Sequence, residues 1–128
     1  MIVADTDVLI DYLEGRQPAA QQVLRALRLD QLQTTTINHF ELLAGARRRP
    51  QRESVLALLE AIPALHLDID AARLAAEIHQ QLERLGVTIG MGDSLIAGIV
   101  RARGGTLLTR NKRHFEQVPG LHLAEIPI

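Results

Sequence analysis

The chain has 128 residues, 47% of them hydrophobic, and no cysteine; that is enough for one core without disulfides, and it excludes thiolate metal sites. A formal net charge of −1 and an aromatic content of 2% exclude a uniformly basic nucleic-acid coat and a base-stacking platform for single strands. The apolar runs are too short to span a bilayer and the first residues lack the basic front of a signal peptide, so we expect a single domain over residues 1–128, no membrane partner and a reducing, cytoplasmic setting.

Along the chain, Ile2-Val3-Ala4 is short, apolar on both alternations and rich in β-branched residues, the habit of a strand buried on both faces of a parallel sheet. It runs straight into Asp5-Thr6-Asp7 and then into the helix-like Val8 to Leu13. An amphipathic helix is expected from Ala19 to Leu29, then a strand at Gln33 to Thr35. Ile37 to Gly45 follows, in which Asn38 and Glu41 have the spacing of a capping box. A further helix is expected from Gln51 to Ile62, with Pro50 suited to its first turn, and then a strand at Leu65 to Leu67. After the start signals Asp68 and Asp70, the repeat Leu74, Ile78, Leu82, Leu85 marks a helix that Gly86 stops. The loop Ile89 to Gly92 leads into Asp93-Ser94-Leu95-Ile96-Ala97; a strand at Thr106 to Thr109, a short helix with Asn111 as cap, and a strand at Leu121 to Ile126 complete the chain. Strands alternating with helices mean an α/β fold.

Each of Asp5, Asp7, Asn38, Asp93 and Asn111 can be read as a helix cap. However, Asp5 and Glu41 follow strands of one parallel sheet, and open parallel sheets bind ligands beyond the carboxyl ends of their strands. Asp93 can reach the same edge. Three clustered carboxylates repel one another unless a cation offsets them. Hard divalent ions, Mg²⁺ or Mn²⁺, suit such oxygen donors and keep several waters. His39, His66, His79 and His122 show no metal-ligand spacing and read as structural or solvated.

Taken together, Ala4-Asp5-Thr6-Asp7-Val8-Leu9-Ile10, Glu41-Leu42-Leu43-Ala44-Gly45, Asp93-Ser94-Leu95-Ile96-Ala97, Leu108-Thr109-Arg110-Asn111 with His114-Phe115, and Val118-Pro119-Gly120-Leu121 resemble, in order and spacing, the PIN-domain ribonucleases and among them the VapC toxins of bacterial toxin–antitoxin pairs. The resemblance covers essentially the whole chain. It implies a three-layer fold with a central, mainly parallel five-stranded sheet flanked by helices. It also implies an Mg²⁺-dependent endoribonuclease in which Asp5, Glu41 and Asp93 hold the metal and Thr6 supports the site; Asn111, neutral where an acid is frequent, can still orient a metal-bound water. Arg110, Lys112 and Arg113 adjoin the last motif and are the candidates for gripping RNA, with Arg47, Arg48, Arg49 and Arg52 a lesser choice. The implied partners are a second copy of the chain, a cognate VapB-like antitoxin that blocks the site, an RNA substrate, and promoter DNA bound only by the toxin–antitoxin complex.

Two positions depart from that pattern. Asp7 stands where Asn is common and is read as a helix-start residue; Asn111 and His114 stand where a fourth acid is frequent. His114 keeps open a catalytically weak variant that acts through antitoxin and DNA. A phosphatase built on Asp5-Thr6-Asp7 would need a lysine paired with an acidic motif, and Lys112 has none after it. A phospho-acceptor receiver fits worse, because Thr109-Arg110 and Leu67-Asp68 are the wrong residues at its strand ends.

Overall fold

The computed structural model describes residues 1–125. The elements are β1 (Ile2–Ala4), α1 (Thr6–Glu14), α2 (Ala19–Arg28), β2 (Leu32–Thr35), α3 (Thr36–Gly45), α4 (Arg49–Ala61), β3 (Ala64–Leu65), α5 (Ile69–Arg84), α6 (Met91–Arg103), β4 (Thr106–Leu108), α7 (Lys112–Phe115) and β5 (His122–Leu123). The five strands are all parallel, in the order β3-β2-β1-β4-β5. From β1 the chain adds β2 and β3 on one side and then crosses back to place β4 and β5 on the other, so the strand order reverses at β1 and a crevice opens beyond its carboxyl end.

Alternation along the strands divides the core. Ala4 and Leu108 face a cluster with Val8, Leu9, Val23, Leu42 and Leu59 from α1 to α4. Val3 and Leu107 face the other cluster, with Ile78, Leu82, Ile96, Val100 and Phe115 from α5 to α7. The sheet is thus the middle of three layers, and its strands read as apolar on both alternations because both faces are covered.

Helices α5 and α6 approach closely at Gly98, where an added Cβ would lie 2.6 Å from Ala75 Cβ and 2.7 Å from the Ala71 carbonyl oxygen. Small residues here seat α6 against α5, and α6 carries Asp93 in its first turn. Asp68 caps α5, accepting from Ala71 N at 2.9 Å, and Gly86 ends that region at φ 72°. Both follow the sequence expectation.

Three strands end earlier than expected; β4 stops at Leu108 rather than Thr109, whose hydroxyl turns to Asp5 Oδ2 at 2.7 Å. β3 ends at Leu65 rather than Leu67, because Leu67 N donates to the Thr36 hydroxyl at 3.3 Å and Asp68 N turns back to the His66 carbonyl at 3.0 Å, so neither stays on the ladder. β5 is confined to His122–Leu123, with Ala124 N adding one bond to the Leu107 carbonyl. The expected end of that strand at Ile126 lies outside the described residues.

Candidate active site

Beyond the carboxyl ends of β1, β2 and β4, an apolar core gives way to a seam of buried polar side chains: Asp5, Thr34, Thr35, Asn38 and Thr109. Asp5 is the N-cap of α1, in extended backbone, and its Oδ1 accepts from Thr6 N at 2.8 Å. The same oxygen accepts from Asn38 Nδ2 at 2.9 Å, while Oδ2 accepts from the Thr109 hydroxyl at 2.7 Å. The cap and cluster readings of Asp5 therefore hold together, since one carboxylate has enough lone pairs for both.

Asn38 sits in the first turn of α3 and is fully buried. The expected Asn38–Glu41 capping box is not formed. Thr35 is the N-cap instead, its hydroxyl accepting from Asn38 N at 3.2 Å and donating to Asn38 Oδ1 at 2.7 Å. With its oxygen so engaged, the Asn38 amide turns its nitrogen to Asp5 and, at 3.0 Å, to Thr6 Oγ1. The Thr6 hydroxyl donates to Glu41 Oε1 at 2.6 Å. Asp5, Thr6, Asn38 and Glu41 thus form one connected network, in which each side chain restricts its neighbour's rotamer.

Asp93 reaches this edge from α6. It is not a cap: the helix starts at Met91 after an extended Gly90, whose carbonyl accepts from Ser94 N at 3.0 Å. Asp93 therefore lies inside the first turn, where a carboxylate is favoured by the helix dipole. A Cβ on the preceding Gly92 would lie 3.6 Å from Glu41 Oε2, which brings the start of α6 against Glu41.

The charges register this crowding. Burial pushes the Asp5 carboxyl up, the hydrogen bonds from Thr109, Thr6 and Asn38 pull it down, and the neighbouring Asp93 charge adds to the rise. Burial likewise raises Glu41 against the bond from Thr6, with Asp5 and Asp93 both raising it further. All the donors offered are carboxylate oxygens, the chemistry of a hard divalent cation, and a cation would offset the mutual repulsion that raises these groups. Among the described residues no three acidic or histidine side chains form a ready-made cage.

Other expected site residues fall at the rim. His114 Nδ1 lies 2.8 Å from Asn111 Nδ2 and 3.3 Å from Asp93 Oδ2. Asn111 precedes α7 but its side chain makes no cap bond, being engaged by His114. Arg113 is exposed and Lys112 half-buried. Arg110 is not a free arm: its Nε lies 2.8 Å from Asp11 Oδ2. Asp7, in the first turn of α1, turns to the loop after β4, where its Oδ2 accepts from Arg110 N at 3.0 Å. That oxygen also lies 3.3 Å from the Thr109 hydroxyl that bonds Asp5 Oδ2, so the two carboxylates stand side by side against the loop after β4.

Reading the sequence missed Asn38, Thr109 and Asp11 as parts of this network. The signal for Asn38 was present but ambiguous, because its spacing to Glu41 matched a capping box. Thr109 and Asp11 carry no local signal, since their partners are 104 residues away for Thr109 and across a salt bridge to Arg110 for Asp11.

A family model for the PIN domain matches residues 2–121. The chain is similar to the tRNA(fMet)-specific endonuclease VapC of Shigella flexneri, with 32% identity over 121 residues covering 91% of each chain. It is similar to ribonuclease VapC10 of Mycobacterium tuberculosis, with 32% identity over 117 residues covering 90% of this chain and 86% of the relative. Among solved structures, DNA-bound VapBC from Salmonella typhimurium superposes with a TM-score of 0.83 at 28% identity, covering 98% of both chains.

Proposed function

The chain belongs to the PIN-domain family and within it to the VapC ribonucleases, and from that premise we propose that it is a metal-dependent endoribonuclease acting as the toxin of a toxin–antitoxin pair. The observation that carries this reading is the convergence of Asp5, Glu41 and Asp93 on one sheet edge, with their ionisation opposed by burial and by one another. These three side chains would hold Mg²⁺, or Mn²⁺ in its place. The ion, when bound, would supply a lowered pKa for a water and offset charge developing on the phosphodiester.

The chain's own residues do the positioning. Asn38 and the Thr109 hydroxyl fix both oxygens of Asp5, and Thr6 fixes one oxygen of Glu41. Asn111, held by His114 at the rim, can direct its amide toward an attacking water. The hydroxyls of Thr6 and Thr109 are spent on carboxylates, so neither serves as a nucleophile. Lys112 and Arg113 are the basic groups best placed for the flanking phosphates.

The proposed substrate class is structured RNA, and initiator tRNA is the first to try because a relative at 32% identity is named for it. A cognate VapB-like antitoxin would occupy the groove of about 380 Å³ between α1, α3 and α4, which has an apolar floor of Ile10, Leu13, Leu42 and Val55 and opens on Glu41. Promoter DNA would be bound only by that complex. A second copy of the chain would cover the α5–α6 face, where Met91 is 76% exposed beside Leu95 and Ala72. Among the described residues no helix is long and apolar enough to cross a membrane.

The test is cleavage of an end-labelled initiator tRNA by the purified chain with Mg²⁺, with Mn²⁺ and with excess EDTA. Cleavage with either ion and none in EDTA is expected. Robust cleavage in EDTA overturns the metal assignment, and none of any tested RNA with either ion overturns the ribonuclease reading.

A further inference from the structure

Arg110 stands next to the site on the loop after β4, and an arginine there is readily taken for a phosphate grip. Its contacts say otherwise. Its backbone N–H donates to Asp7 Oδ2 at 3.0 Å and its guanidinium Nε meets Asp11 Oδ2 at 2.8 Å. Asp7 and Asp11 are one turn apart on α1 and so share a face of that helix. The Asp11 carboxylate is buried, and a buried carboxylate needs a partner; among the described residues Arg110 is the cation paired with it. The loop is thus pinned to α1 at two points, through one residue.

What the loop carries makes the pinning matter. The residue before Arg110 is Thr109, whose hydroxyl donates to Asp5 Oδ2 at 2.7 Å and accepts from Asn111 N at 3.0 Å. The residue after it is Asn111, whose side chain contacts His114, itself 3.3 Å from Asp93. One chain of contacts therefore leads from Asp11 through Arg110 and Thr109 to Asp5, while His114 Nδ1, taken by the Asn111 amide at 2.8 Å, has no proton left to give Asp93.

We propose that Asp11 and Arg110 are a positioning pair for the ribonuclease site: they fix the loop that orients Asp5 through Thr109, and Arg110 does not bind RNA. The proposal rests on the metal-dependent reading above. It assigns roles to two residues by what they hold, since neither touches the reacting atoms. It also leaves phosphate contact to Arg113 and Lys112, which have no such buried partner among the described residues.

Arg110→Gln and Asp11→Asn in the full chain are compared with Arg113→Gln. Three quantities are measured: kcat and KM for RNA cleavage, the salt dependence of RNA binding, and the Mn²⁺ concentration that gives half of the metal-induced rise in melting temperature. Positioning requires Arg110→Gln and Asp11→Asn to behave alike. In both, kcat falls on the order of ten- to a hundredfold with KM nearly unchanged, and the Mn²⁺ midpoint rises about tenfold or more, as loss of a group orienting metal ligands does. The salt slope of RNA binding stays parental.

The opposite pattern overturns the proposal. If Arg110→Gln raises KM and lowers the salt slope by about one while Asp11→Asn cleaves normally, Arg110 is a phosphate contact. If both variants only melt lower, with parental kcat per folded molecule and a parental Mn²⁺ midpoint, the pair is a stability device. Should Asp11→Asn fail to fold, Asp11→Leu combined with Arg110→Met removes both charges and keeps the volume, and it is read by the same criteria. Failure of the ribonuclease reading is distinguishable: a parent that cleaves no RNA but whose Mn²⁺ response is weakened by both variants loses the activity and keeps the positioning pair.

Discussion

Asp5 and Asp93 come to the same edge of the sheet by different routes, and the difference separates structure from function at this site. Asp5 is held by three donors, from Thr6, Asn38 and Thr109, and caps α1. Asp93 lies in the first turn of α6 with one side-chain neighbour, His114 at 3.3 Å, and its helix is capped without it. A residue with three buried hydrogen bonds is built into the fold and can be removed only at the expense of its partners. A residue with none of these is free to serve something that comes from outside.

The largest effect expected is common to both. Asp5→Ala and Asp93→Ala should each reduce RNA cleavage by on the order of a hundredfold or more, since displacement of a positioned catalytic group by as little as an ångström has effects of that size. Cleavage by either variant within tenfold of the parent would remove that residue from the site.

Stability should then split the pair. Asp5→Ala leaves Thr6 N, Asn38 Nδ2 and the Thr109 hydroxyl without their acceptor, so loss of about 1–3 kcal/mol is expected. Asp93→Ala should stay within about 0.5 kcal/mol of the parent or gain slightly, as expected for a substitution that leaves no buried partner and removes a repelling charge. Denaturant titration in EDTA measures both. Equal losses would mean that Asp93 carries structural bonds comparable to those of Asp5.

Metal should stabilise the parent and not the variants. A saturating ligand bound only by the native state stabilises it by about 2.7 kcal/mol at a hundred times its dissociation constant. Mg²⁺ or Mn²⁺ is therefore expected to raise the melting temperature of the parent and to lose that effect in Asp93→Ala. Identical responses in the two would place the ion elsewhere.

The smallest effect concerns pH. Burial, with the Asp5 charge adding to it, pushes the Asp7 carboxyl up to about 6, and its Oδ1 is buried without a partner among the described residues. A pKa raised by folding means that the native state binds the proton more tightly than the unfolded chain. This contribution to stability is complete below the unfolded value near 4 and is lost as pH rises through about 6. In EDTA, lowering the pH from 7 toward 5 should thus raise the melting temperature of the parent. Asp7→Asn, which keeps an acceptor for Arg110 N, should flatten that rise. A parental slope in Asp7→Asn would assign the effect to Asp5 and Glu41, which shift in the same direction.

Two of the candidate acids, Asp5 and Glu41, were picked out because they follow strands, whereas Asp93 follows a loop between two helices. The apolar Ile2-Val3-Ala4 and the polar Asp5 stand side by side in the chain, and a strand buried on both faces has only its end to offer a ligand. The expectation for Arg110 was weaker for a definite reason. Exposed arginine is the ordinary state of that residue type, and only the fold shows that Asp11, from a helix at the other end of the chain, is buried beneath it. Asn38 shows a different ambiguity: a capping box and a buried bridge require the same residue at the same spacing, and the outcome turned on Thr35 having taken the cap first.

By itself the sequence determined the periodicities and their punctuation. Helix and strand order, the Asp68 start and Gly86 stop of α5, and the acids at strand ends all depend on contacts within a few residues, where spacing alone decides which face a side chain occupies. Only the tertiary structure decided which of the polar residues share a hydrogen bond. Thr109 and Asp5 are 104 positions apart, and nothing local distinguishes a threonine that will meet a carboxylate across a sheet from one that will face water. Their meeting is set by the registry of β4 against β1, with Leu108 opposite Ala4, because a parallel ladder that aligns two strands along their length also brings together the residues that follow them.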